Sequence, residues 1–236
     1  MMNERHRIKR LTALRYVLAL PRSVWYNYTL LPLRQAWRLP ILVSHRTRVE
    51  NLTGEVTLIA TKLRIGLVKI GFNTYQHTDF WHDRTRINIR GRWVMKGACA
   101  VGAGNCINVG EKGVLIFGDN VSIGPKTLII CHRAITFADY NQTSWCCTLM
   151  DTDQHRLVDN KGNWSNEDRP IELAEGVWLG CHVIITKGTR LAAYTTVGAG
   201  SVVHGSHDQE RTVLAGNPAT VVKRGVVRED FRRVEC

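Results

Sequence analysis

Residues 141–170 gather side chains that can bind ligands and move protons: Trp145, Asp151, Asp153, His155, Asp159, Trp164 and Asp168. The sharpest pattern is Met150-Asp-Thr-Asp-Gln-His155. Written as an extended chain, it points Asp151, Asp153 and His155 to one side. A histidine suits removal of a proton from an attacking hydroxyl or amine, because unperturbed imidazole titrates close to neutrality. A carboxylate beside it fixes the tautomer and steadies the imidazolium that forms, and Asp153 is the first choice for that role. The plain alternative for His155 is a solvated loop side chain. His77 and His82, with Asp79 and Asp83 nearby, have a spacing that suits a metal; no third ligand accompanies them, and no metal site is assigned.

The elements that must position this segment are written in a six-residue ladder. Leu173, Leu179, Ile185, Leu191, Val197 and Val203 place an aliphatic at every sixth residue. Val177, Val183, Thr189, Thr195 and Ser201 repeat a small or β-branched residue four positions after the first five. A helix would rotate such a series around its surface, so the pattern implies short strands separated by turns, stacked as repeats. The period is recognisable again from Val101 to Ile129, slips at Ile135 and disappears between Asn141 and Pro170. A non-repeating stretch of that length inside a repeat array is usually functional or disordered, and its aromatics and dense titratable groups favour a functional one. Gly216 and Pro218 end the stack with a turn.

The 236 residues form a substantial core, and 32 Lys and Arg against 20 Asp and Glu give a net charge of +12. Anionic partners are expected; nucleic acid is disfavoured because no groove-reading or RNA-binding signature appears. Seven cysteines without CxxC pairs read as reduced thiols and a cytoplasmic setting. Residues 1–44 combine Arg5, Arg7, Lys9, Arg10 and Arg15 with apolar residues, followed by a connector punctuated by Pro21, Pro32 and Pro40. The apolar run is too short and interrupted to span a bilayer. A helix lying on anionic lipid at the inner face of the membrane, or on a neighbouring subunit, is expected, with a cap on the repeat stack as the alternative.

Four stretches together carry a family likeness: Val177-Trp-Leu-Gly-Cys-His-Val-Ile-Ile-Thr-Lys-Gly188, Val197-Gly-Ala-Gly-Ser-Val-Val203, Ala215-Gly-Asn-Pro-Ala219 and Met150-Asp-Thr-Asp-Gln-His155. The chain resembles the hexapeptide-repeat acyltransferases, and within them the bacterial O-acetyltransferases of surface polysaccharides and lipopolysaccharides. The resemblance implies an all-β fold, a left-handed parallel β-helix over residues 45–224 with an active-site loop at 141–170 and a tail at 225–236. It further implies a homotrimer with sites between subunits, and transfer of an acetyl group from acetyl-CoA to a sugar hydroxyl with His155 as base. Asp151 is then expected to contact the acceptor, and Trp145 either to stack on it or to close the core at the register slip. Cys181, Ala199, His204, Thr220, Lys223 and Arg224 match the CoA-lining positions, with Lys223 and Arg224 as phosphate partners. Direct transfer is expected over a covalent route through Cys181. The alternatives are N-acetyl transfer to an amino sugar, a non-catalytic β-helix, and a metal-dependent hydratase drawing on histidines such as His132, His155 and His182.

Overall fold

The six-residue ladder is the inner surface of a three-sided coil. The computed structural model describes residues 4–73, 78–79 and 82–231. Leu173, Leu179, Ile185, Leu191, Val197 and Val203 are all buried, as are Val177, Val183, Thr189, Thr195 and Ser201 at the corners. Each coil gives one short strand to each of three sheets, which among the described residues hold nine strands on face one, seven on face two and seven on face three. The coils pair in parallel, as in Trp178 with Thr196, Ile184 with Val202 and Glu172 with Arg190. Among the strands of the described residues only the last hairpin is antiparallel, where Ala219–Arg224 returns along Thr212–Gly216. Parallel sheets normally need helices on both faces. Here the winding itself buries one face of every sheet.

Coil length explains where the period is legible. Trp178 to Thr196 and Ile184 to Val202 are steps of 18 residues, three hexapeptides. Cys99 to Val121 takes 22 and Ser122 to Gln142 takes 20, so those corners carry extra residues. Their core is filled by aromatics: Trp93, Phe117 and Phe137 pack edge to face with centroids 5.6 and 5.1 Å apart.

Several boundaries differ from the sequence expectation. The coil begins at β1 (Ile41–Val43), ahead of residue 45. Ile135 causes no slip, since it pairs in register with Leu115 and Ile171. Nor does the repeat vanish at residue 141: Gln142–Thr143 and Thr148–Met150 are regular strands. Their inward set includes Thr143 and Cys147 beside Leu149, and polar inward residues hid the alternation. Within residues 141–170 the chain leaves the coil between Met150 and Ile171.

The first end is closed by α1 (Glu4–Leu30) and the short α2 (Leu33–Ala36). Pro21 lies inside α1, not at a break, although it removes a helix hydrogen bond. Beyond it, α1 is tied to the open edge of β1 by two buried polar side chains. The Asn27 amide donates to the Ile41 carbonyl at 2.7 Å and accepts from the Ile41 N–H at 3.1 Å. The Ser23 hydroxyl accepts from the Val43 N–H at 2.9 Å. These side chains stand where a further strand would pair, so the inner face of α1 is the cap that a repeat stack and an open sheet edge require. At the other end, the residues after the hairpin fold back, and Phe231 packs against Tyr194 and Tyr140 at 5.2 and 6.0 Å.

Candidate active site

The edge between faces one and two is a ladder of tight corners. His182 N–H donates to the Trp145 carbonyl at 3.0 Å, and Gly200 N–H to the Cys181 carbonyl at 2.9 Å. Trp145, Cys181 and Ala199 therefore stack one above another, at about 4.8 Å per coil. The residue after each takes positive φ: Cys146 (56°), His182 (58°) and Gly200 (71°). Gly180 opens its corner because a Cβ there would lie 2.7 Å from the Ala199 nitrogen. Above Ala199 the Gly216-Asn217-Pro218 turn continues the line, with Gly216 N–H on the Ser201 hydroxyl at 3.1 Å. Thr220 faces Ala215 just past that turn, and Lys223 and Arg224 follow as exposed cations on the same strand. Arg224 also donates to the Gln209 side chain at 3.0 Å. The small side chains of Cys181 and Ala199 make this edge a wall that a long linear ligand can lie along, and Lys223 and Arg224, opposite Val213 and Thr212, place positive charge farther across face one.

The excursion of residues 151–170 leaves from the other side of face two, at its edge with face three. Asp151 anchors its root: one carboxylate oxygen accepts from His132 N–H at 2.7 Å, the other from Arg133 N–H at 2.8 Å, and the residue is fully buried. Positive φ at Gln154 (61°) then turns the chain, so Asp151 to His155 is not the extended segment the alternation assumed. Asn166, itself buried, is the hub of the excursion. Its amide nitrogen donates to Asp153 Oδ2 at 2.7 Å and to the His155 carbonyl at 2.9 Å. Its amide oxygen accepts from Leu157 N–H at 2.6 Å and from Trp164 Nε1 at 2.9 Å. Lys187, from the coil corner above, places Nζ 2.5 Å from Asp153 Oδ2 and 2.7 Å from the Asn166 carbonyl. The Lys187 ammonium, then the Asn166 amide, hold the Asp153 carboxyl below its ordinary range.

His155 rides on this frame with an exposed side chain, and its imidazole makes no hydrogen bond or ion pair with the described residues. Its backbone is fixed at both ends: the N–H donates to the Asp153 carbonyl at 2.7 Å and the carbonyl accepts from Asn166. The arrangement suits a base that receives its partner from outside the chain.

The sequence-derived set is thus divided between two edges. His155, Asp153, Asp151 and His204 belong to the edge between faces two and three. Trp145, Cys181, Ala199 and the turn before Thr220 belong to the edge between faces one and two. The expected Asp153–imidazole bond is replaced by Asp153–Lys187, since the ammonium of the next coil is the stronger partner. Asp151 is closed to an acceptor, because both oxygens serve the backbone. Trp145 stands under Cys181, away from His155 at the opposite end of Thr148–Met150. Asn166 and Lys187 escaped the sequence reading; an asparagine in a polar loop and a lysine at a repeat corner carry no spacing signal. Of the metal idea, His77 lies outside the described residues, while His82 pairs with Asp79 at 2.5 Å and Asp83 with Lys126 at 3.1 Å. No cluster of three metal-ligating side chains exists among the described residues.

No family model matches the chain. Among curated proteins it is similar to the putative lipopolysaccharide biosynthesis O-acetyl transferase WbbJ of Escherichia coli, 28% identical over 170 residues, which cover 59% of this chain and 83% of the relative. It is also similar to a probable acetyltransferase of Mycobacterium tuberculosis, 29% identical over 136 residues, covering 56% of this chain and 43% of the other. Among solved structures, the polySia specific acetyltransferase NeuO aligns with a TM-score of 0.49 and 18% identity, covering 81% of this chain and 92% of that one.

Proposed function

We propose that this chain, an acyltransferase of the hexapeptide-repeat β-helix type, moves an acetyl group from acetyl-CoA to a hydroxyl of a surface-glycan or lipid-linked sugar. The observation that carries the reading is His155, whose backbone is pinned by Asn166 while its imidazole is left to solvent. The curated relatives, named as acetyltransferases, support the reaction class.

Acetyl-CoA supplies an activated thioester. The sugar oxygen attacks the thioester carbon while its proton passes to the His155 imidazole; the new C–O bond forms, the C–S bond breaks, and the proton is returned to the departing thiolate. The ladder of Cys181 and Ala199 is suited to the extended arm of the donor, and Lys223 and Arg224 to its phosphates. Direct attack asks nothing of the Cys181 thiol.

The two halves lie at opposite ends of the face-two strands. From Cys181 to Lys187 is six residues of largely extended chain, up to about 20 Å. A site between copies of the chain, as in a homotrimer, brings one copy's His155 to another's ladder. Face two supports this, because Leu128, Ile130, Met150, Ile184 and Val202 give its outer surface an apolar, incompletely buried strip.

His155→Ala is expected to lower kcat for acetyl transfer about 10²–10⁴-fold, with the KM for acetyl-CoA nearly unchanged. Retention of full activity by that variant removes His155 from the reaction.

A further inference from the structure

α1 has its polarity inverted. The side it turns to the protein is partly polar: Ser23 and Asn27 are fully buried there beside Ala19 and Tyr26, serving β1. The side it turns outward is apolar: Leu14, Val17, Leu18, Val24, Trp25 and Tyr28 are each between 40% and 60% exposed. At 100° per residue these six fall within one stripe of about 120°, opposite the buried set. Capping the stack explains the inner face and leaves the stripe without a partner among the described residues.

Charge selects the partner. Residues 1–49 carry ten Lys and Arg (Arg5, Arg7, Lys9, Arg10, Arg15, Arg22, Arg34, Arg38, Arg46 and Arg48) and one acid, Glu4. Most of the net positive charge is therefore carried by the stretch of sequence that contains α1 and leads into the first coil. A second copy meeting this surface through the same stripe would bring the same cations against it. A bilayer bearing anionic headgroups brings the opposite charge, an apolar layer for the aliphatics and an interface of the kind tryptophan and tyrosine prefer. No helix of the described residues is long and apolar enough to cross a membrane, which fits a helix lying in the interface plane.

We propose that the outward stripe of α1 seats the first-coil end of the β-helix on an anionic lipid surface. Thr148–Met150, from which the His155 excursion departs, is the fifth of seven strands on face two. At about 4.8 Å per coil the excursion then stands roughly 20 Å along the stack from the capped end. This inference does not depend on acetyl transfer, and its test reads lipid binding alone.

The test is co-sedimentation of the full-length protein with vesicles of phosphatidylcholine alone or mixed with phosphatidylglycerol. Binding to the anionic vesicles is expected to exceed binding to the neutral ones at least about tenfold, and to fall about tenfold when salt rises from 0.1 M to about 1 M. The triple variant Val17→Ser, Val24→Ser, Tyr28→Ser leaves in place Trp25, whose ring packs on the buried Tyr26, and is expected to bind anionic vesicles about tenfold or more weakly with an unchanged melting temperature and sedimentation mass. Absence of vesicle binding, or equal binding to both vesicle types, overturns the proposal using the unaltered protein. A triple variant that loses oligomeric mass while binding vesicles normally also overturns it, and assigns the stripe to a second copy.

Discussion

At the scale of the residue, the chemistry of the proposed site rests on how firmly His155 is placed. Asn166 makes four side-chain hydrogen bonds inside the excursion, and Lys187 ties that excursion to the coil. Asn166→Ala is expected to lower kcat by about tenfold or more by loosening the base, since a misplaced catalytic group costs up to about 10²-fold. The KM for acetyl-CoA should hold, because the proposed donor wall is on another edge; a raised KM with normal kcat would contradict that division. Asp153 gives the loop an acid limit. Its pKa is lowered in the folded protein by Lys187 and Asn166, so its contribution is complete above the ordinary carboxyl range near 3.8 and is lost as pH falls through the folded value. Limited proteolysis should show residues 151–170 becoming more cleavable below about pH 4, and Lys187→Met should weaken that pH dependence. Cys181→Ala is expected to keep acetyl transfer within about threefold of the unaltered chain; loss of more than about 10³-fold, with an acetylated Cys181 trapped by mass spectrometry, would replace direct attack by the covalent route.

At the scale of the element, corners and caps carry more of the specificity than the strands do. Gly176 has a φ of 68°, and a Cβ there would lie 2.6 Å from the Tyr194 ring and 3.3 Å from Phe231. Tyr140 and Tyr194 themselves hold φ near 60°, so the conformation alone is tolerated and the clash decides. Gly176→Ala is expected to destabilise by about 1–3 kcal/mol, whereas Gly205→Ala, with nothing within 4 Å of its Cβ, should cost only its positive φ; equal melting temperatures for the two would refute a role for packing. In the cap, Asn27→Ala leaves both polar groups of Ile41 unpaired, at about 1–3 kcal/mol each. A melting temperature unchanged by Asn27→Ala would show that α1 does not seal the sheet edge. The outward half of the same helix has no such structural duty, which is why its substitution separates lipid binding from stability.

At the scale of the whole molecule, the coil puts the base and the donor wall at separate edges, and only a second copy unites them in the proposed reaction. Mixing two inactive chains tests this. A His155→Ala chain and an Ala199→Trp chain, unfolded together and refolded, are expected to recover part of the unaltered activity, because some interfaces join an intact His155 to an intact ladder. Recovery no greater than that of either chain alone would place the complete site within one chain. Face two is where the copies should meet, so charge placed at Ile130 is expected to lower the sedimentation mass and the activity together.

The sequence by itself determined the coil. An aliphatic at every sixth residue leaves few ways to hide those side chains, and the clean ladder from Leu173 to Val203 is buried position for position. The same logic faded where coils lengthen to 20 and 22 residues, because extra corner residues shift the period without changing the inward pattern. His155, the proposed base, was singled out by its residue type and by the motif's resemblance to known acyltransferases. What orients it was not, because Asp153, Asn166 and Lys187 meet from three separate stretches of chain. Spacing misread Asp151 as a ligand group for the same reason: its partners are backbone N–H groups one coil away. The tertiary structure alone decided these contacts, and it alone revealed that α1 buries its polar side and shows its apolar one. Periodicity fixes which residues face inward along one strand; it carries no information about which coil, corner or helix stands opposite.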